Sequence, residues 1–166
     1  IIHDEAIRLT RLLDDLLDLS VLENGQVNLN LTDGKLGDIL DRAEAAALAH
    51  DDKPGLQIRR NRASEQVWLN TDTERLSQVF INLISNARKY CDAPQRILEI
   101  RVTKGDALLV DFVDNGSGIA ADARDLIFEK FSRISDQKAG GAGLGLAISL
   151  QIVTRLGGSI SYLPGQ

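Results

Sequence analysis

Residues 1 to 24 carry a single hydrophobic period, and it stops at Gly25. Ile2, Ala6, Leu9, Leu13 and Leu16 recur at alternating steps of four and three, which is a heptad seam. Leu12, Leu17 and Leu19 widen the stripe, so the spacing predicts a helix that belongs to a bundle rather than to a thin two-stranded coil. Arg8, Arg11, Asp14, Asp15 and Asp18 fall mostly off the stripe and read as its solvated face. Asn24 and Gly25 are stop residues. A helix of this length, about 36 Å at 1.5 Å per residue, cannot bury its own seam, which predicts an oligomer.

After Gly25 the period changes repeatedly. "VNLNL" (27 to 31) alternates as a strand does, and Thr32 or Asp33 is placed to cap a helix over about 35 to 50, with Leu36, Ile39, Leu40, Ala43 and Leu48 inward. "KPG" (53 to 55) is a turn, and "LQIRR" and "VWL" are short strands. Residues 72 to 90 place Leu76, Val79, Phe80, Leu83, Ile84 and Ala87 at helical spacing. "ILEIRVT" and "ALLVDFV" flank "KGD" as a hairpin. A short helix near 122 to 128, a longer one over about 144 to 156 stopped by Gly157 and Gly158, and a strand "SISYL" complete the reading. The irregular order predicts an α+β or α/β fold with a mixed, mostly antiparallel sheet and helices on one face, not a doubly wound parallel sheet.

Composition excludes several classes. A net charge of −5 argues against wholesale binding to nucleic acid or to an acidic membrane surface. No apolar run approaches 18 residues, and no signal peptide is visible. The single cysteine, Cys91, has no internal partner for a disulfide, in keeping with a reducing compartment. The absence of methionine and the ending "SYLPGQ" lead to the expectation that the chain is a piece of a longer protein.

Three polar clusters sit where a core pattern does not place them. In "NLISNARKY", Asn82, Asn86, Lys89 and Tyr90 fall on adjacent faces of one helix, while Leu83, Ile84 and Ala87 account for its packing. An asparagine carbonyl is a hard oxygen ligand suited to Mg²⁺, although a hydrogen-bonded interior asparagine is the more ordinary role. In "DFVDNGSGI" a strand delivers Asp114, followed by Gly116 and Gly118. A carboxylate there accepts a hydrogen bond from an exocyclic amine such as adenine N6, and the glycines let a flat base approach the backbone. Gly116, Gly118 and Ala121 also match a dinucleotide fingerprint, but Glu129 and Asp136 lie in a polar stretch with no second parallel strand to carry the ribose-binding acid. In "GGAGLGLAIS", Gly140, Gly141, Gly143 and Gly145 run into an apolar helix. Glycines at a helix start let phosphate reach backbone N–H groups, and no lysine follows to make a P-loop. Between the last two clusters lies "FEKFSRISDQKAGG", with Lys130, Arg133 and Lys138. It reads as a surface loop, or as a lid if a phosphate cradle stands beside it.

Taken in order, these stretches resemble bacterial sensor histidine kinases of the GHKL superfamily over essentially the whole chain. "NLISNARKY" is similar to the family's N box, "DNGSGI" to its G1 box, "FEKF" to its F box and "GAGLGLAI" to its G2 box. "RLTRLLDDLLDLSVLENG" resembles the second helix of the dimerisation and phosphoacceptor hairpin. The resemblance implies a two-layer α+β (Bergerat) fold preceded by one long stalk helix. Residues 1–25 would be the partial stalk and 26–166 the ATP-binding catalytic domain, lacking its final strand. It implies ATP and Mg²⁺, with Asn86 as metal ligand, Asn82 on the phosphate side, Lys89 on phosphates and Tyr90 by the ribose and base. Asp114 would bind the adenine amine, with Gly116 and Gly118 shaping the pocket. Gly141, Gly143, Leu144 and Gly145 would line the phosphate cradle, Phe128 and Phe131 would anchor the lid, and Lys130 and Arg133 would sit at its base. It further implies a homodimer through the stalk and a response-regulator receiver domain as partner. The location would be cytoplasmic, with any inner-membrane attachment left to upstream segments.

Ala142 stands where the family often has a hydroxyl residue. No catalytic histidine is expected in this chain. His3, in "IIHDEA", lacks the arginine and proline of the acceptor motif and lies in the second-helix match, and His50 reads as a helix-end residue. Relatives in the superfamily that hydrolyse ATP carry a glutamate one turn before the metal asparagine. Here that residue is Asn82, which cannot take a proton from water. A separate histidine as nucleophile is therefore the expected reaction. The rival expectations are a non-hydrolytic relative, such as an anti-sigma-factor serine kinase or a mitochondrial-type protein kinase, and a nucleotide-sensing module without chemistry.

Overall fold

The computed structural model describes residues 2–25, 28–49, 55–118 and 144–162. The elements are α1 (Ile2–Glu23), β1 (Thr32–Lys35), α2 (Leu36–Leu48), β2 (Gln57–Arg60), a 3-10 turn (Arg62–Glu65), β3 (Trp68–Thr71), α3 (Thr73–Tyr90), β4 (Ile97–Lys104), β5 (Leu108–Asp114) and α4 (Gly145–Arg155). They gather into two units, one holding α1 and α4 and the other holding all five strands with α2 and α3. The helix expected near 122 to 128 lies outside the described residues.

In the larger unit β2, β4 and β5 form a mixed sheet. β2 runs parallel to β4, and β4 pairs antiparallel with β5 from Leu98↔Asp114 to Lys104↔Leu108. The expected hairpin is therefore present, turning at residues 105–107. A second, two-stranded ribbon pairs β1 antiparallel with β3. The helices supply the apolar layer. Ile39, Leu40 and Ala43 of α2 and Val79, Phe80, Ile84 and Ala87 of α3 are buried together with Leu98 and Ile100 of β4. Each large aliphatic among them contributes on the order of 1.5–3 kcal/mol by leaving water. Phe80 meets Phe112 of β5 with ring centroids 5.5 Å apart, which fixes α3 over the strand that ends in Asp114. Asp72 caps α3 by accepting the Arg75 N–H at 3.1 Å.

Two expectations shift. The strand read at 27 to 31 forms instead at Thr32–Lys35. Its partner decides the register: β3 offers only Trp68–Thr71 before Asp72 turns the chain into α3, and the Asn30 N–H goes to the Asp72 carboxylate at 3.0 Å. Thr32 and Asp33 consequently lie in the strand and cap nothing. α2 starts after Lys35 without a side-chain cap, and the Val67 carbonyl takes the Leu36 N–H at 2.8 Å. The strand expected at "SISYL" is also absent over residues 159–162, because no strand among the described residues pairs with it.

A buried ion-pair network ties α2 to β2 and the 3-10 turn. Glu65 is fully buried and receives Arg60 Nε at 3.0 Å and Nη2 at 2.5 Å, while Arg60 Nη1 lies 2.8 Å from Asp41 and Nη2 donates to the Gly37 carbonyl at 3.2 Å. Arg62 also donates to Asp41. Burial opposes charge on Asp41, but the hydrogen bonds from Arg62 and Arg60 outweigh it and hold its carboxyl below the ordinary value.

In the smaller unit α1 packs on α4. Leu19 and Leu22 are buried, as are Leu144, Ile148 and Ile152, whereas Leu13 and Leu17 are 59% and 63% exposed. Arg155 closes the contact: Nε and Nη2 donate to the Leu22 carbonyl at 3.0 and 2.9 Å, and Nη2 to the Glu23 carbonyl at 3.2 Å. These are terminal carbonyls of α1 that have no helical donor. The chain leaves α1 through Gly25 at φ +68°, the left-handed stop expected there.

Candidate functional site

α3 delivers four of the expected site residues from its C-terminal half. Asn82, Asn86 and Lys89 are half-buried and Tyr90 is 38% exposed, so these polar side chains lie along the margin of a helix whose other face is core. β5 delivers Asp114 at its end, exposed, with Gly116 and Gly118 beyond it. Gly118 adopts φ +84°, a conformation that favours glycine. Gly116 is glycine for a different reason: a Cβ there would meet Asp114 Oδ1 and Asp92 Oδ1, each at 3.0 Å, and the Asp92 nitrogen at 3.4 Å.

The segment that follows α3 is bonded to the turn that follows β5. Asp114 Oδ1 accepts the Gly116 N–H at 2.8 Å, which closes the turn after the strand. Asn115 then works as a hub. Its Oδ1 accepts the Ile97 N–H at 2.9 Å and faces the Cys91 thiol at 3.4 Å, and its Nδ2 donates to the Gln95 carbonyl at 2.6 Å. Asp92, two residues after Tyr90, takes the Ser117 hydroxyl at 2.5 Å and the Ser117 N–H at 2.8 Å. The hydroxyl first, and then the backbone N–H, hold the Asp92 carboxyl below its ordinary value. Sequence reasoning missed Asp92, Asn115 and Ser117 as contributors. The only local signal was their position inside or just beyond the two motif stretches.

Leu144 and Gly145 belong to the other unit, where Leu144 is buried and Gly145 opens α4. Phe128, Lys130, Phe131, Arg133, Gly141 and Gly143 lie outside the described residues. Among the described residues no three His, Cys, Asp or Glu side chains gather as a metal cage. A cleft of about 310 Å³ between β2 and β4, with Arg59 and Arg101 in its wall, contains none of the expected site residues. Arg101 is already paired with Glu99 on the same strand face.

Comparison with known proteins shows the family and the fold. Residues 71–166 match the model of the family described as histidine kinase-, DNA gyrase B-, and HSP90-like ATPase. The sensor protein kinase WalK of Staphylococcus haemolyticus (strain JCSC1435) is 34% identical over 168 residues, which cover 95% of this chain and 26% of that protein. Among solved structures, the Acinetobacter baumannii histidine kinase AdeS superposes with a TM-score of 0.75 at 27% identity, covering 96% of this chain and 74% of that one. Full-length ShkA, solved in complex with AMPPNP, gives a TM-score of 0.75 at 28% identity, covering 92% of this chain and 32% of that one. The chain thus belongs to the histidine kinase-, DNA gyrase B-, and HSP90-like ATPase family, and within it is an ATP-binding catalytic core of the sensor histidine kinase kind, with their α+β GHKL fold. It spans about a quarter of the length of the WalK relative.

Proposed function

We propose that this chain holds Mg·ATP and presents its γ-phosphoryl group to a histidine on another helix of the same assembly, from which the phosphoryl passes to an aspartate of a response-regulator receiver domain. One observation supports the reading: the end of α3 is fastened to the turn after Asp114 through Asp92–Ser117 and Cys91–Asn115, while the position one turn before Asn86 is an amide, Asn82, rather than a carboxylate. Asp114 Oδ1 is engaged with Gly116, and Oδ2 accepts the adenine amine. Tyr90 lies by the ribose and base. Lys89 and Asn82 meet the phosphates, and the family resemblance assigns further phosphate contacts to Gly141, Gly143, Leu144 and Gly145. The same resemblance assigns Phe128, Lys130, Phe131 and Arg133 to a lid.

Asn86 suits Mg²⁺, because this ion takes one or two protein oxygens and keeps phosphates and water for the rest, so no acidic cage is required. Bound there, the ion would neutralise charge on the phosphate oxygens. The histidine nitrogen attacks the γ-phosphorus, the bond to the β–γ bridging oxygen breaks, and ADP leaves. The chain's contribution is alignment and charge neutralisation. Asn82 cannot deprotonate water, so hydrolysis stays slow.

Residues 1–25 serve as the second helix of the stalk and 26–166 as the catalytic domain. Leu13 and Leu17, one turn apart and exposed, support a homodimer through that stalk. The domain works in the cytoplasm, and any membrane attachment lies in other parts of the parent protein. Radiolabelled ATP tests the reaction. The chain alone should release phosphate slowly and stay unlabelled. The chain extended upstream by a helix bearing the acceptor histidine should gain one acid-labile, base-stable label. Rapid phosphate release by the chain alone, or no label on the extended chain, would contradict the proposal.

A further inference from the structure

We infer that Asp92 is a positioning residue that fixes the aim of Asp114 at the base end of the nucleotide site, an inference that rests on the reading just proposed. The turn 115–117 is fastened residue by residue. Asn115 is held by the backbone of Gln95 and Ile97, Gly116 by Asp114, and Ser117 by both oxygens of Asp92. Asp92 and Asp114 flank Gly116 so closely that either one would meet a Cβ at 3.0 Å. The position of the Gly116 N–H, which fixes Asp114 Oδ1, therefore depends on where Asp92 holds Ser117. Asp92 follows Tyr90 by two residues, so the same clamp sets the distance between the end of α3 and the base-recognising carboxylate.

Asp92 and Ser117 are both exposed. Hydrogen bonds and charge pairs at such positions add little to global stability. What they do here is restrict one turn to one geometry, and preorganised geometry is what raises affinity. The asparagine variant separates geometry from charge. Its amide oxygen accepts the Ser117 N–H, and its amino group donates to the Ser117 hydroxyl oxygen.

The test is calorimetric titration of the chain with ATP and with ADP, for D92A, D92N, S117A and the D92A/S117A double variant, each with a thermal melt. D92A should weaken ATP and ADP by the same factor, about 5- to 20-fold, less than the loss of a direct hydrogen bond to a charged group because Asp92 acts through Asp114. The equal factor marks an effect at the base end rather than at the γ-phosphate. D92N should stay within about 3-fold of the unchanged chain, since both bonds to Ser117 can be remade. The double variant should be no weaker than D92A, because the two residues act as one pair. Melting temperatures should move little. Unchanged ATP affinity in D92A, additive losses in the double variant, or equal losses in D92N and D92A would overturn the inference. Failure of the unchanged chain to bind ATP would overturn the proposed function, and the inference with it.

Discussion

Replacing Glu65 by glutamine removes one charge from the interior and leaves the side-chain shape in place. Glu65 is fully buried, and the Arg60 side chain is 3% exposed, so both ions of the pair have lost their water. At an effective dielectric near 20, unit charges about 4 Å apart attract by roughly 4 kcal/mol, and breaking one partner of a buried pair costs about 3–5 kcal/mol. Asp41, 2.8 Å from Arg60 Nη1 but half exposed, compensates part of the orphaned charge, and Glu44 at 3.9 Å compensates less. The glutamine oxygen also keeps one acceptor. The expected loss is therefore at the low end, about 3 kcal/mol, or about 1.5 M in urea midpoint for a slope near 2 kcal/mol per molar. Trp68, the only tryptophan, sits on β3 in the same unit, and its fluorescence reports that unit's unfolding. Glu65→Leu should cost more than Glu65→Gln, and Arg60→Met with Glu65→Leu should cost less than Glu65→Leu alone, because no unpaired buried charge remains. A Glu65→Gln midpoint within about 0.3 M of the original would refute the reasoning.

Asn86→Ala should remove most of the Mg²⁺ dependence of nucleotide binding, and an unchanged magnesium titration would count against Asn86 as ligand. Gly157 ends α4 at φ +84° with open space where a Cβ would stand, so Gly157→Ala is a purely conformational change, expected to cost about 1 kcal/mol in a thermal melt. A neutral result would mean the backbone relaxes there. The depressed carboxyl of Asp41 contributes stability that is fully present above its ordinary value of 3.8 and is lost as pH falls through the lower folded value. The gap in urea midpoint between the original and Asp41→Asn should accordingly be flat at neutral pH and close below that value. A gap that closes near neutral pH would contradict the sign.

What the sequence made legible was whatever depends on near neighbours. α3 appeared because its apolar residues repeat within a turn of one another and Asp72 stands at its start. The β4–β5 hairpin appeared because "KGD" separates two β-rich runs. The Asp114–Gly116–Gly118 turn was legible as a candidate site for the same reason. What stayed hidden is set by residues far along the chain. The register of β1 follows from the length of β3, 36 residues later, and α2 is started by a carbonyl at Val67 rather than by its own cap. The Asp92–Ser117 clamp joins residues 25 apart, and no periodicity marks such a pair. The α1 seam was half legible. Its spacing included Leu19, which is buried, but also Leu13 and Leu17, which are exposed, and it omitted Leu22, which is buried beside the α1 end that Arg155 holds.

The central claim, that the Asp114 turn and the α3 margin form one ATP site, is tested most directly by titrating the chain with Mg·ATP and Mg·GTP beside Asp114→Ala. A hydrogen bond to a charged carboxylate is worth about 1.5–3 kcal/mol, so ATP should bind one to one and weaken about 10- to 100-fold in the variant. GTP, which offers a carbonyl where adenine offers an amine, should bind poorly to the unchanged chain. Equal affinity for ATP and GTP, or an Asp114→Ala chain that binds ATP as the original does, would contradict the account.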